Sequence, residues 1–86
     1  MRSLLGSMPR YRLKYGKHRE FDAQTAGEVV PFIQEGHFTG ASDPEDEFVR
    51  RLAMEMCEWN GKWYRVNSRD LLAKDMIKHG LLECVD

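Results

Sequence analysis

Tyr15, His18 and Arg19 fall within the five residues YGKHR. A histidine acting as acid or base beside an arginine that holds a phosphate makes the working parts of a compact ribonuclease. The same five residues read more plainly as the tip of a hairpin. The metal-binding candidates are His18, His37, His79, Cys57 and Cys84. They form no CxxC, no HxxxH and no Cys-His pair at finger spacing. His79 lies five residues before Cys84, across a helix end, where a histidine complements the negative pole of the helix. No serine or cysteine sits in a glycine elbow, and no GxGxxG or GxxxxGK cradle for phosphate occurs. Asp70 and Asp75, five apart, read as separate surface residues of a helix. No catalytic residue, metal or cofactor is therefore assigned.

Binding is the remaining chemistry, and charge placement frames it. Residues 1–19 hold six Lys or Arg and no acid, whereas residues 20–47 hold eight acids and no Lys or Arg. The net charge is only −1 and the pI about 6.3. Asp43, Glu45, Asp46 and Glu47 make an acidic cluster. The stretch CEWNGKWYRVNS adds Trp63 and Arg65 on one face of a short extended segment. These six residues are the expected docking surface for a protein partner, since surfaces of opposite sign speed encounter and set orientation. The alternative is nucleic acid. Arg10, Arg12, Lys14 and Arg19 would track a phosphate backbone and Trp63 would stack a base. The acidic balance argues against it. A second copy of the chain, paired edge to edge, is a further candidate partner. The expected function is a non-enzymatic adaptor or regulatory module, with nucleic-acid binding and a ribonuclease-type toxin as alternatives.

The elements that must carry these residues follow from periodicity. RYRLKY alternates, with Tyr11, Leu13 and Tyr15 on one face and Arg10, Arg12 and Lys14 on the other, as in a half-buried strand. A loop at 16–18 would return the chain into a second strand ending at Phe21, with Leu13 opposite Phe21. TAGEVVPFIQEG reads as a short helix with capping-box spacing at Thr25 and Glu28 and a core face of Val29, Phe32 and Ile33. Pro31 sits awkwardly unless the helix starts nearer Gly27.

SDPEDEFVRRLAMEMCEWNG is the strongest helix. Ser42 or Asp43 would cap it, Pro44 would open it, and Phe48, Val49, Leu52, Ala53, Met56 and Trp59 would form one apolar stripe. Asn60-Gly61 reads as its end rather than as a hairpin turn, because alternation fails on the preceding arm. A strand over 62–66 follows, with Trp63 the more exposed tryptophan. The last helix is capped by Ser68, faces the core with Leu72, Ala73, Met76 and Ile77, and ends at Gly80 with Leu81 folded back on it. LLECV closes the chain as a strand. The order β(β)ααβαβ implies an α+β fold, three helices on a small, mostly antiparallel sheet of three or four strands.

Length and composition bound the rest. The 86 residues, 42% of them apolar, suffice for one small domain near the lower limit of a self-sufficient core. Gly6-Ser7-Met8 reads as a cloning junction, so residues 1–7 are taken as a cloning-derived or disordered leader and 8–86 as the domain. No apolar run spans a bilayer and no export signal is present, so a cytoplasmic chain with reduced, buried cysteines is expected. A standalone domain of this size suits a bacterial or phage accessory protein.

Overall fold

The computed structural model describes residues 8–16, 18–37 and 40–85. The expected leader at 1–7 lies outside the described residues. The fold is α+β, with three helices and a three-stranded antiparallel sheet. Strand β1 (Arg10–Leu13) is central, flanked by β2 (Arg19–Asp22) and by the C-terminal strand β3 (Leu82–Cys84). Tyr11 and Leu13 point inward and are buried, as the alternation requires.

The hairpin register differs from expectation. Leu13 pairs with Arg19 and Tyr11 with Phe21, so the loop is two residues longer than predicted. A slip of two leaves each side chain on its original face. It also sets Arg10 opposite Asp22 and Arg12 opposite Glu20, pairing opposite charges directly across the strands.

A single 3-10 turn, Ala26–Glu28, leads into α1 (Val29–Glu35). Thr25 makes no side-chain cap, so the expected capping box does not form. The α-helical hydrogen bonding instead starts at Val29, which places Pro31 in the first turn, where its missing N–H has no intrahelical acceptor to satisfy. Val29, Val30 and Ile33 are buried. Phe32 is largely exposed but stacks on Phe21 of β2 at 5.7 Å between ring centroids.

Helix α2 (Glu45–Asn60) starts one residue later than predicted. Pro44 occupies the cap position and its carbonyl accepts the Phe48 N–H at 2.9 Å. No side chain caps this end. Phe48, Val49, Leu52, Ala53 and Met56 are buried, but Trp59 is not. The helix overshoots the core there, and Trp59 packs against Tyr15 edge to face, at 5.5 Å between ring centroids. Gly61 then adopts φ +73°, and its N–H bonds to the Cys57 carbonyl at 2.7 Å, which ends the helix as Asn60-Gly61 implied.

Helix α3 (Arg69–Lys78) is capped by Ser68, whose Oγ accepts the Leu71 N–H at 3.2 Å. At its far end Leu81 N–H reaches the Met76 carbonyl at 2.8 Å and Gly80 N–H the Ile77 carbonyl at 3.1 Å. That is a Schellman motif, with Gly80 at φ +81° and Leu81 buried. The core face needs correction. Ile77 is exposed, and Asp75, read as a surface residue, is buried at 7% relative exposure.

The strand expected at 62–66 does not form. Both edges of β1 are already taken by β2 and β3. The segment runs extended between α2 and α3 and is tied to α3 by side chains instead of by a ladder. Phe48, Leu52, Met56, Leu72, Met76, Val29, Val30 and Leu82 make up the fully buried centre to which all three helices and the sheet contribute.

Candidate functional site

The basic face of β1 is largely neutralised. Arg10 pairs with Asp22 at 3.1 Å and with Glu20 at 3.6 Å. Arg12 bridges Glu20 on β2 at 3.1 Å and Glu83 on β3 at 3.2 Å, and Lys14 reaches Glu83 at 3.4 Å. Arg19 lies over the Phe21 ring at 4.9 Å. Arg10, Arg12 and Lys14 thus share the outer sheet face, matched by acids from the neighbouring strands, whereas Arg19, directly opposite Leu13, lies on the other face.

The acidic cluster is similarly engaged. Asp43 accepts from Arg51 Nε at 2.8 Å, Asp46 from Arg50 at 3.3 Å, and Glu45 from Arg69 at 2.9 Å. Among the described residues, Glu47 alone of the four makes no ion pair. Arg65 is held most firmly. Its backbone N–H, Nε and Nη2 all donate to the Asp75 carboxylate, at 2.8, 3.0 and 2.9 Å. These hydrogen bonds hold the Asp75 carboxyl below its ordinary value of 3.8, against the opposing effect of burial. Asp75 is the residue that sequence reasoning missed, because one carboxylate on a helix carries no sign of a partner ten positions earlier.

The residues of the ribonuclease alternative lie around the β1–β2 turn. His18 is exposed and Arg19 is occupied by Phe21. Tyr15 leans on Trp59, and burial first, then the Glu55 carboxylate, pushes its phenol upward. A different histidine lies nearby. His37 Nε2 sits 3.0 Å from Glu55 Oε1, and His37 Nδ1 accepts the Gly40 N–H at 2.8 Å. Because an N–H can only donate, Nδ1 must be unprotonated and Nε2 carries the hydrogen toward Glu55. Both ring nitrogens are engaged within the protein, so His37 clasps the loop before α2 rather than facing a substrate. Among the described residues no group of three or more His, Cys, Asp or Glu is placed to hold a metal ion. Cys57 and Cys84 are unbridged as expected, but Cys84 is exposed and Cys57 half-buried, not core.

An apolar groove of about 370 Å³ lies between α2 and the 63–66 segment. Ala53, Met54 and Cys57 supply the α2 side; Trp63, Tyr64 and Val66 supply the other, with Arg50 and Glu58 on the rim. Met54 and Cys57 lie three residues apart, on a second, outer stripe of α2. Trp63 is 84% exposed and Met54 65%. The groove wall is well positioned. Tyr64 is buried, its hydroxyl accepts from Asn60 Nδ2 at 2.7 Å, and its ring meets the edge of His79. His79 Nε2 in turn lies 3.1 Å from the Trp63 carbonyl. The exposed Trp63 side chain therefore stands next to a buried, hydrogen-bonded Tyr64, with its own carbonyl against His79.

Among the described residues no helix is long and apolar enough to cross a membrane. No family model matches the chain, and no curated protein or solved structure matches it significantly.

Proposed function

We propose that the protein is a non-enzymatic binding module that docks on a protein through the groove beside Trp63. One observation carries this reading: a tryptophan 84% exposed, next to a methionine 65% exposed, on a rigid and tightly hydrogen-bonded segment. Exposed aromatic anchors on ordered backbone are what binding hot spots are made of, because little ordering entropy remains to be lost on docking. The charged residues around the groove set orientation, while Asp43, Glu45 and Asp46 serve mainly the helix start and the local ion pairs.

The nucleic-acid alternative has the same tryptophan, but of the two cations flanking it, Lys62 and Arg65, the second is bound by Asp75. The test is capture of partners by the wild-type chain and by Trp63→Ala, with and without nuclease, followed by titration of the purified partner. Loss of affinity of about tenfold or more on Trp63→Ala, with the fold unchanged by circular dichroism, is expected. Capture that disappears with nuclease and with Arg10→Ala/Arg12→Ala, yet survives Trp63→Ala, would overturn the proposal.

A further inference from the structure

The segment 62–66 divides its backbone groups between two sets. Arg65 N–H and the Trp63 carbonyl are bonded to Asp75 and His79 of the α3 region. In an extended chain alternate residues present their N–H and C=O groups to opposite edges. An extended backbone over 62–66 with Arg65 N–H and the Trp63 carbonyl turned to α3 sets the peptide groups of Tyr64 and Val66 on the opposite edge. Among the described residues nothing pairs with the N–H of Tyr64, the carbonyl of Tyr64, the N–H of Val66 or the carbonyl of Lys62. Lys62 N–H, by contrast, is already taken by Asn60 Oδ1 at 2.9 Å.

These four groups are arranged self-complementarily. If a second, antiparallel copy of the segment lies alongside with Tyr64 on the two-fold axis, each Tyr64 exchanges both hydrogen bonds with its counterpart. Each Val66 N–H then meets the Lys62 carbonyl of the other chain. The Lys62 N–H that Asn60 occupies is not needed. In that register Trp63 stands opposite Arg65 of the second copy, at a closely spaced non-hydrogen-bonded pair where a guanidinium can lie on an indole face.

We infer that the occupant of this groove is a second copy of the chain, joined by two-fold antiparallel pairing of residues 62–66. The inference rests on the reading of the groove as a protein-binding surface and names its partner. Charge agrees with a second copy rather than with a strongly charged ligand. Arg50 faces Asp46, Arg65 faces Asp75, and the remaining Lys62 and Glu58 are of opposite sign, so the patch does not repel its own image. Area sets the strength. Trp63, Met54 and Val66 are the large apolar side chains of the patch, and three such side chains give less than the roughly 800 Å² that each partner gives a standard interface. The pair is therefore a weak, concentration-dependent dimer.

The test is sedimentation equilibrium of the full chain from about 1 µM to about 1 mM, a range that brackets a weak interface. The mass is expected to rise from one chain to two. Trp63→Ala is expected to weaken the association about tenfold or more. Val66→Pro, which removes an N–H with no partner in the chain, is expected to do the same with the fold retained. Lys62→Cys/Val66→Cys, in a chain whose Cys57 and Cys84 are replaced by serine, is expected to give a disulfide-linked dimer joining position 62 of one chain to position 66 of the other. Within one chain those positions lie about 13 Å apart, too far to bridge. A chain that stays monomeric throughout overturns the inference, and so does a dimer that both single substitutions leave intact. A dimer lost in Trp63→Ala but kept in Val66→Pro overturns the strand pairing. A monomer that captures another protein in a Trp63-dependent way sinks the dimer and leaves the groove reading standing. A monomer whose captures ignore Trp63 sinks both.

Discussion

Gly27 tests the packing of the 3-10 turn on α3 in a single atom. A methyl group added there would overlap Asp70 Oδ1 and lie 2.9 Å from Asp70 Cγ and 3.0 Å from Asp70 Cα. The carboxylate can swing away; the Cα belongs to the first turn of α3 and cannot. The backbone of Gly27 has no left-handed φ, so alanine suffers no conformational strain there. Alanine would even gain about 0.4–1 kcal/mol by restricting the unfolded chain. Overpacking costs about 1–3 kcal/mol. The net expectation for Gly27→Ala is a loss of about 1–2 kcal/mol, seen as a fall in Tm of about 5–15 °C for a domain of this size. Asp70→Ala removes the overlapping carboxylate and leaves only the clash with the helix backbone. The double substitution should recover about half of the loss, with a coupling of at least about 0.5 kcal/mol in the double-mutant cycle. Thermal unfolding followed by circular dichroism measures all four chains. An unchanged or higher Tm for Gly27→Ala, or strictly additive effects, would refute the packing argument.

The other predictions concern the core and the buried carboxylate. Phe48 is fully buried, touches the His37 ring edge-on at 5.1 Å, and has Gly40 packed against its ring. Phe48→Ala should cost about 3–5 kcal/mol, comparable to the whole stability of a small domain, and calorimetry should show the cooperative transition lost or strongly lowered. Asp75 has a folded-state pKa below its unfolded value, so the stability it contributes is fully present above the ordinary value of 3.8 and is lost as pH falls through the depressed folded value. Urea midpoints between about pH 2 and pH 5 should therefore fall with acid in the wild type and fall less steeply in Asp75→Asn, which begins from a lower midpoint at neutral pH. An identical slope in the two chains would remove Asp75 from the acid transition.

The elements that were legible in the sequence are those specified locally. Ser68, Gly61 and Gly80 stop or start helices through bonds made within a few residues, and all three act where their types imply. Alternation placed Tyr11 and Leu13 inward because a strand's two faces are fixed by parity alone. What could not be read locally depended on competition between distant segments. Residues 62–66 have the composition of a strand, but β3 reaches the free edge of β1 and leaves them without a ladder. Asp75 and Ile77 exchanged their expected environments because Arg65 draws Asp75 under the 62–66 segment. Trp59 continues the apolar stripe of α2 in sequence, yet the core ends before the helix does. The His37–Glu55 pair joins a loop to the middle of α2, and no spacing rule links those positions.

The same competition explains how the charged candidate surfaces are paired. A block of cations followed by a block of acids suggests, in one dimension, two surfaces reaching for opposite partners. The antiparallel hairpin lays the first block directly against the second, and β3 adds Glu83 from the far end of the chain, so most of that charge is matched internally. Exposed ion pairs of this kind contribute little stability each, about 0–1 kcal/mol, and they bring opposite charges together on one face. The groove beside Trp63 undergoes no such cancellation. Its apolar atoms can be satisfied only by covering them, and the unpaired peptide edge of Tyr64 and Val66 only by another strand or by water. On the proposed reading, docking of the chain through this groove relies on shape and apolar contact more than on charge. Its binding should depend only weakly on salt, in contrast to the steep dependence that contacts with a phosphate backbone produce.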